Sequence, residues 1–233
     1  MIFKQIDIFL RIENAVEYAY SLKKKSRHIL NYIERNCLKP LKFESDGFIG
    51  IIIDLRYGFE DKFMYDVPVF LSETKCLVDV IPFDKIKYDS LKKDDEFREF
   101  FHDCLVKSIT DIEKNYKIPG KEILNCYQDL KKNNFVNEWV HQKKSDKKKG
   151  VLIELVCLLT IDKFQLTLRV TKEAKEIFSK VILEKDPDEI AFEYELGDIL
   201  IEDDKITVTK KRKDVLVKIP YKQILNNINL KVS

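Results

Sequence analysis

The sequence predicts an α+β protein with mainly antiparallel sheet, built from successive hairpins and packed with several amphipathic helices, and three observations carry that prediction. Apolar residues step by three and four over 14–36 and again over 94–116, the spacing of a helix face. Short runs rich in Val, Ile and Phe flank turn residues at 45–47, 72–75 and 161–163, the pattern of hairpins. Helices and strands come in blocks and not as regular βαβ units, which points to α+β.

In chain order, Ala15, Ala19, Leu22, Ile29, Ile33 and Cys37 line one face of a long helix that Pro40 is expected to stop. Residues 41–44 and 48–55 flank Ser45-Asp46-Gly47, whose Asp-Gly dipeptide favours the positive φ of a tight turn, and predict a first hairpin. Residues 63–71 and 76–81 predict a second, ended by Pro82, and two hairpins in succession predict an antiparallel sheet. Asp94 or Asp95 is expected to cap a helix with Phe97, Phe101, Cys104, Leu105, Ile109, Ile112 and Tyr116 on one face. Pro119-Gly120 breaks it, and Ile123, Tyr127 and Leu130 continue a helical face, followed by Val136, Trp139 and Val140.

Residues 143–150 (KKSDKKKG) hold no apolar side chain, so a solvated basic loop is expected there. It would divide an N-terminal α+β subdomain, 1–142, from a β-rich C-terminal subdomain, 151–233, or lie within one continuous domain. Beyond it, 151–160 and 164–171 predict a third hairpin, central because its first strand is almost wholly apolar. Ala174, Ile177, Phe178 and Val181 predict a short helix over 172–185. Strands over 189–196, 198–202, 206–210 and 215–219 then form a meander that leads into a frayed tail, with helical spacing near Ile224, Leu225 and Ile228.

A chain of 233 residues, 45% of them hydrophobic, can bury a sizeable core. Its five cysteines are odd in number, widely spaced and never paired as CxxC, the usage of reduced core thiols in a cytoplasmic protein. No stretch approaches the roughly 18 apolar residues of a membrane span, so no membrane partner is expected. The dispersed glycines form no phosphate loop and no nucleophile elbow, and no cofactor is expected. Lys far outnumbers Arg, which speaks for an AT-rich bacterial or phage genome more than for phosphate recognition, where the Arg fork is favoured.

The net charge is only +2, yet the charges are sorted. Residues 184–204 carry ten acids and one base, and residues 205–222 carry seven bases and one acid. In the expected strand over 189–196, Ile190, Phe192 and Tyr194 alternate with Ala191, Glu193 and Glu195, which sends both glutamates to solvent. Glu193, Glu195, Asp198, Glu202, Asp203 and Asp204 are therefore the candidate contact for a basic protein partner; the competing expectation is pairing with lysines of the same sheet, such as Lys205 or Lys218. A second candidate surface is the aromatic segment 56–66, with Tyr57, Phe59 and Tyr65 as anchors. Two basic tracts, Lys143, Lys144, Lys147, Lys148 and Lys149, and Lys210, Lys211, Arg212 and Lys213, could touch nucleic acid, but lack the interleaved aromatics of single-strand binders.

Signals for catalysis are weaker. His102-Asp103-Cys104 cannot converge, because neighbours on a helix point about 100° apart. His28 and His141 stand alone, and no zinc-ligand spacing occurs. Asp54 with Glu73-Thr74-Lys75 resembles the outline of metal-dependent nucleases of the restriction-enzyme type, which implies two carboxylates on Mg²⁺ and a Lys orienting the attacking water. The same acid-x-Lys pattern recurs at Glu60, Asp129 and Glu173, and Glu73 to Lys75 fall in an expected turn. The sequence thus predicts a non-enzymatic module, with no metal and no cofactor, that engages a basic partner in the manner of an immunity or inhibitor protein; the alternative is a nuclease-like or nucleic-acid-binding protein.

Overall fold

The computed structural model describes residues 1–13, 15–58 and 69–230. The fold is α+β with mainly antiparallel sheet, and the chain forms two compact units, Met1–Phe135 and Val136–Ser233.

In the first unit β1 (Gln5–Ile12) leads into α1 (Val16–Ile33), which runs on through a π turn (Glu34–Leu38) and a short α2 (Lys39–Leu41). Pro40 does not stop the helix. It sits in α2 directly after the π turn, and the helix ends where Lys42 turns left-handed at φ 50°. β2 (Gly50–Tyr57) pairs in parallel with β1, and β4 (Cys76–Pro82) in parallel with β2, while β3 (Val69–Leu71) is the antiparallel edge, giving the order β1-β2-β4-β3.

The expected first hairpin is therefore corrected. Its turn exists, with Gly47 at φ 92°, but Glu44 makes only an isolated bridge to Ile2. Ile51, Ile53 and Leu55 instead extend the apolar face that Ile6, Ile8 and Leu10 begin, and α1 supplies the crossover that parallel pairing needs. The hairpin around 72–75 stands as β3 and β4 over the described residues; 63–68 lie outside them. α3 (Lys85–Ser90), capped by Asp84, precedes α4 (Asp94–Ile112), whose start is held by Glu96 accepting from the Lys92 and Lys93 N–H groups, not by an Asp cap. α5 (Gly120–Lys132) buries Ile123, Tyr127 and Leu130, which join the helices and one sheet face in a single core.

In the second unit β5 (Asn137–Asp146), β6 (Val151–Leu159), β7 (Phe164–Lys172) and β8 (Lys175–Lys185) form an antiparallel sheet in sequence order. Val140 and Trp139 thus lie on a strand and not on a helix, and of the expected basic loop only 147–150 is a turn, with Gly150 at φ 64°. The expected helix over 172–185 is β8. Register shifts at Leu166/Thr167 and Val170/Thr171 break its alternation and leave a spacing that imitates a helix face.

The expected strand over 189–196 is α6 (Glu189–Glu193) and its exit turn: the Asp188 carboxylate accepts from the Ile190 N–H at 3.1 Å and starts the helix. β9 (Ile199–Ile201), β10 (Lys205–Thr209) and β11 (Val215–Pro220) make the meander, in the order β11-β10-β9, and α7 (Tyr221–Leu230) follows. Phe192 of α6 stacks on Phe164 of β7 at 4.0 Å and ties α6 into the core.

Candidate functional site

All six candidate carboxylates of the second unit lie within ion-pair distance of lysines from the neighbouring basic tracts. Glu193 faces Lys211 at 3.9 Å, and Glu195 faces Lys210 at 2.9 Å and Lys185 at 4.0 Å. Asp198 pairs with Lys213 and accepts from the Gln142 side chain at 3.1 Å. Glu202 meets Lys205 at 2.9 Å and accepts from the Thr207 hydroxyl at 2.6 Å; Asp203 meets Lys148 at 3.4 Å, and Asp204 meets Lys205 at 3.7 Å. The Lys213 ammonium holds the Asp198 carboxyl below the usual carboxylate range, and the Lys205 ammonium does the same for Glu202.

Blocks that are segregated along the chain are thus interleaved in space. Gly197 makes this possible: a Cβ there would stand 2.2 Å from the Thr209 carbonyl oxygen, so only glycine lets the segment after α6 lie against the end of β10. The Lys211 N–H donates to the Tyr194 carbonyl at 3.2 Å, and the Lys211 and Arg212 cations lie over the Tyr194 ring. The first basic tract is engaged as well. Lys144 donates to the Ile199 carbonyl at 2.7 Å and Gln142 accepts from the Ile199 N–H at 2.5 Å, so side chains of β5 cap the outer edge of β9 where another strand could otherwise add. Lys149 donates to the Asp203 carbonyl at 2.9 Å and lies over the Tyr221 ring.

These pairs differ in how firmly they are held. The Glu195 side chain is 16% exposed and enclosed by two lysines, whereas Asp203 is 94% exposed and its partner Lys148 84%. The alternating-strand argument for Glu193 and Glu195 is overturned by α6, which turns Glu193 outward and folds Glu195 inward. Exposed apolar side chains neighbour the outward acids along the chain: Ile190 (67%) and Tyr194 (53%) flank Glu193, and Leu200 (45%) precedes Glu202.

In the first unit, Asp54, Glu73 and Lys75 do not come together. Ile49 pairs with Lys75 through its N–H, and Asp54 lies five residues further along β2, about 16 Å away at the rise of a strand. Glu73 and Lys75 sit exposed in the β3–β4 turn. Asp54 is fully buried between arginines, accepting from Arg11 Nε at 2.9 Å and from Arg56 at 3.0 and 2.7 Å. Of the aromatic anchors, Tyr57 is partly exposed at the end of β2, and Phe59 and Tyr65 lie outside the described residues.

A residue that sequence reasoning missed is Asp79 of β4. It faces the core side of the sheet beside Ile53, under Ser108 of α4, and neither carboxylate oxygen nor the Ser108 hydroxyl reaches a hydrogen-bond partner. Burial raises its pKa to about 6. Its apolar neighbours, Leu77-Val78 and Val80-Ile81, hid it as an interruption in a strand.

Each of the three histidines makes a contact within its own unit. His28 bonds the Phe135 carbonyl at 2.9 Å with its pKa pushed down to about 4 by burial, His102 stacks on Tyr127, and His141 lies 3.3 Å from the Gly197 carbonyl. Among the described residues no three His, Cys, Asp or Glu side chains cluster as a metal site, and no helix is long and apolar enough to cross a membrane. Comparison with known proteins finds no matching family model, no matching curated protein and no matching solved structure.

Proposed function

We propose that this chain is a cytoplasmic, non-enzymatic protein-binding module whose C-terminal unit receives a basic partner by exchange of its surface ion pairs. The observation that carries this reading is the set of exposed apolar side chains, Ile190, Tyr194 and Leu200, that neighbour outward carboxylates along the chain. Exposed Lys–carboxylate pairs contribute only about 0 to 1 kcal/mol, so a partner's cations can displace Lys148 and Lys211 at little cost. The apolar side chains then supply the desolvated contact that gives an interface its affinity. An immunity-type inhibitor covering a nucleic-acid-binding or nuclease surface is the concrete form, because such surfaces are basic.

The test is capture of partners from the protein's own cell lysate, nuclease-treated, at low salt and at about 0.5 M salt. A variant carrying Glu193→Ser, Asp203→Ser and Asp204→Ser should keep its circular dichroism spectrum and lose the salt-sensitive protein that the wild type captures. Equal capture by the variant would overturn the proposal.

A further inference from the structure

Two of the five thiols meet. Cys37 lies in the π turn that follows α1, and Cys126 lies on α5, which packs against that turn. Both line one cavity of about 570 Å³ together with Tyr32, Glu122 and Asp129. Cys76, Cys104 and Cys157 are buried and do not line this cavity. The π turn matters because Lys39 donates to the Glu34 carbonyl, five residues back. This widens the helix and displaces Cys37 from the position a continuous α-helix would give it.

We propose that Cys37 and Cys126 form a peroxide-reactive dithiol that closes to an intramolecular disulfide. Cys37 is the less buried of the two, and the neighbouring Cys126 thiol lowers its pKa and favours the thiolate, the reactive form. Cys126 is the more buried, and the same contact raises its pKa, so it keeps its proton.

In the first step the Cys37 thiolate attacks one oxygen of hydrogen peroxide; the O–O bond breaks, Cys37 becomes a sulfenic acid, and the departing hydroxide takes a proton to leave as water. In the second the Cys126 sulfur attacks the Cys37 sulfur; the S–S bond forms, the S–O bond breaks, and the Cys126 proton leaves with the hydroxide as water. Two thiols are oxidised and one peroxide is reduced to two waters. The Glu122 and Asp129 carboxylates at the cavity favour this small neutral oxidant over an anionic one such as glutathione disulfide.

The test uses the reduced full-length protein, exposed to stoichiometric hydrogen peroxide or to glutathione disulfide, alkylated and mapped by mass spectrometry. Peroxide should lower the mass by about 2 Da and link the peptides carrying Cys37 and Cys126, faster than glutathione disulfide does. Folded Cys126→Ser should stop at the sulfenic acid, trapped by dimedone on Cys37, and Cys37→Ser should take up no dimedone. A linkage through any other cysteine, or peroxide-treated wild type with both thiols still free, would overturn the proposal.

Discussion

At Asp203 a carboxylate is almost wholly in water and holds an equally exposed lysine at 3.4 Å; at Asp79 a carboxylate is fully buried and reaches no donor; at Asp54 one is just as buried but held by two arginines. The same group therefore does three different things. In the C-terminal unit carboxylates make numerous weak pairs that solvent and salt can open, and they shape a surface. In the N-terminal sheet, Asp54 and Asp79 occupy opposite faces, because Asp79 is in register with Ile53, the strand neighbour of Asp54, and each acts on stability through burial.

The largest effect is expected at Asp54. Replacing it with Ala removes the carboxylate that neutralises the buried Arg56 guanidinium and should cost about 3 to 5 kcal/mol in urea unfolding. A loss under about 1 kcal/mol would make this pair no firmer than a surface one.

Asp79 should act in the opposite direction. Its folded pKa of about 6 stands above the ordinary 3.8, so between these values the folded state keeps a proton that the unfolded chain has released. Its contribution is full below pH 4 and is lost as pH rises through 6, by about 2 to 3 kcal/mol. Asp79→Asn should therefore gain stability relative to wild type between pH 5 and pH 8, measured by urea unfolding at both. A difference between the two proteins that does not change with pH would contradict this. A double-mutant cycle on Asp203 and Lys148 should give the smallest effect, about 0.5 kcal/mol or less, vanishing in 0.5 M salt.

How far the sequence reveals this contrast depends on whether a signal is local. α4 and α5, the β6–β7 hairpin and the helical tail were legible because each declares itself within its own residues, through a sustained helical period or a short turn between apolar runs. The parallel pairing of β2 was not, since β1 lies across the whole of α1 and no turn joins them. Five residues of α6 satisfy a strand period as well as a helical one, and only Asp188 just before them distinguishes the two. β8 follows a turn built from Glu173 and Ala174, both at positive φ without glycine, so the usual hairpin signature is missing.

At the candidate site the acids and bases were visible as blocks, and their pairing was one of two expectations. What fixes the pairing is the close approach at Gly197, a backbone contact with no periodic signature. The Cys37–Cys126 meeting was hidden for a similar reason: the residues are far apart in sequence and are brought together by helix packing and a π turn.

In the proposed function, weakly held internal lysines occupy carboxylates that a basic partner would take over. The most direct measurement is capture of the salt-sensitive lysate protein by the Lys148→Ala, Lys211→Ala variant at low salt. Removing two internal competitors worth about 0.5 kcal/mol each should raise capture roughly fivefold over wild type. Capture that stays the same or falls would mean that the acidic block serves only the fold of its own unit.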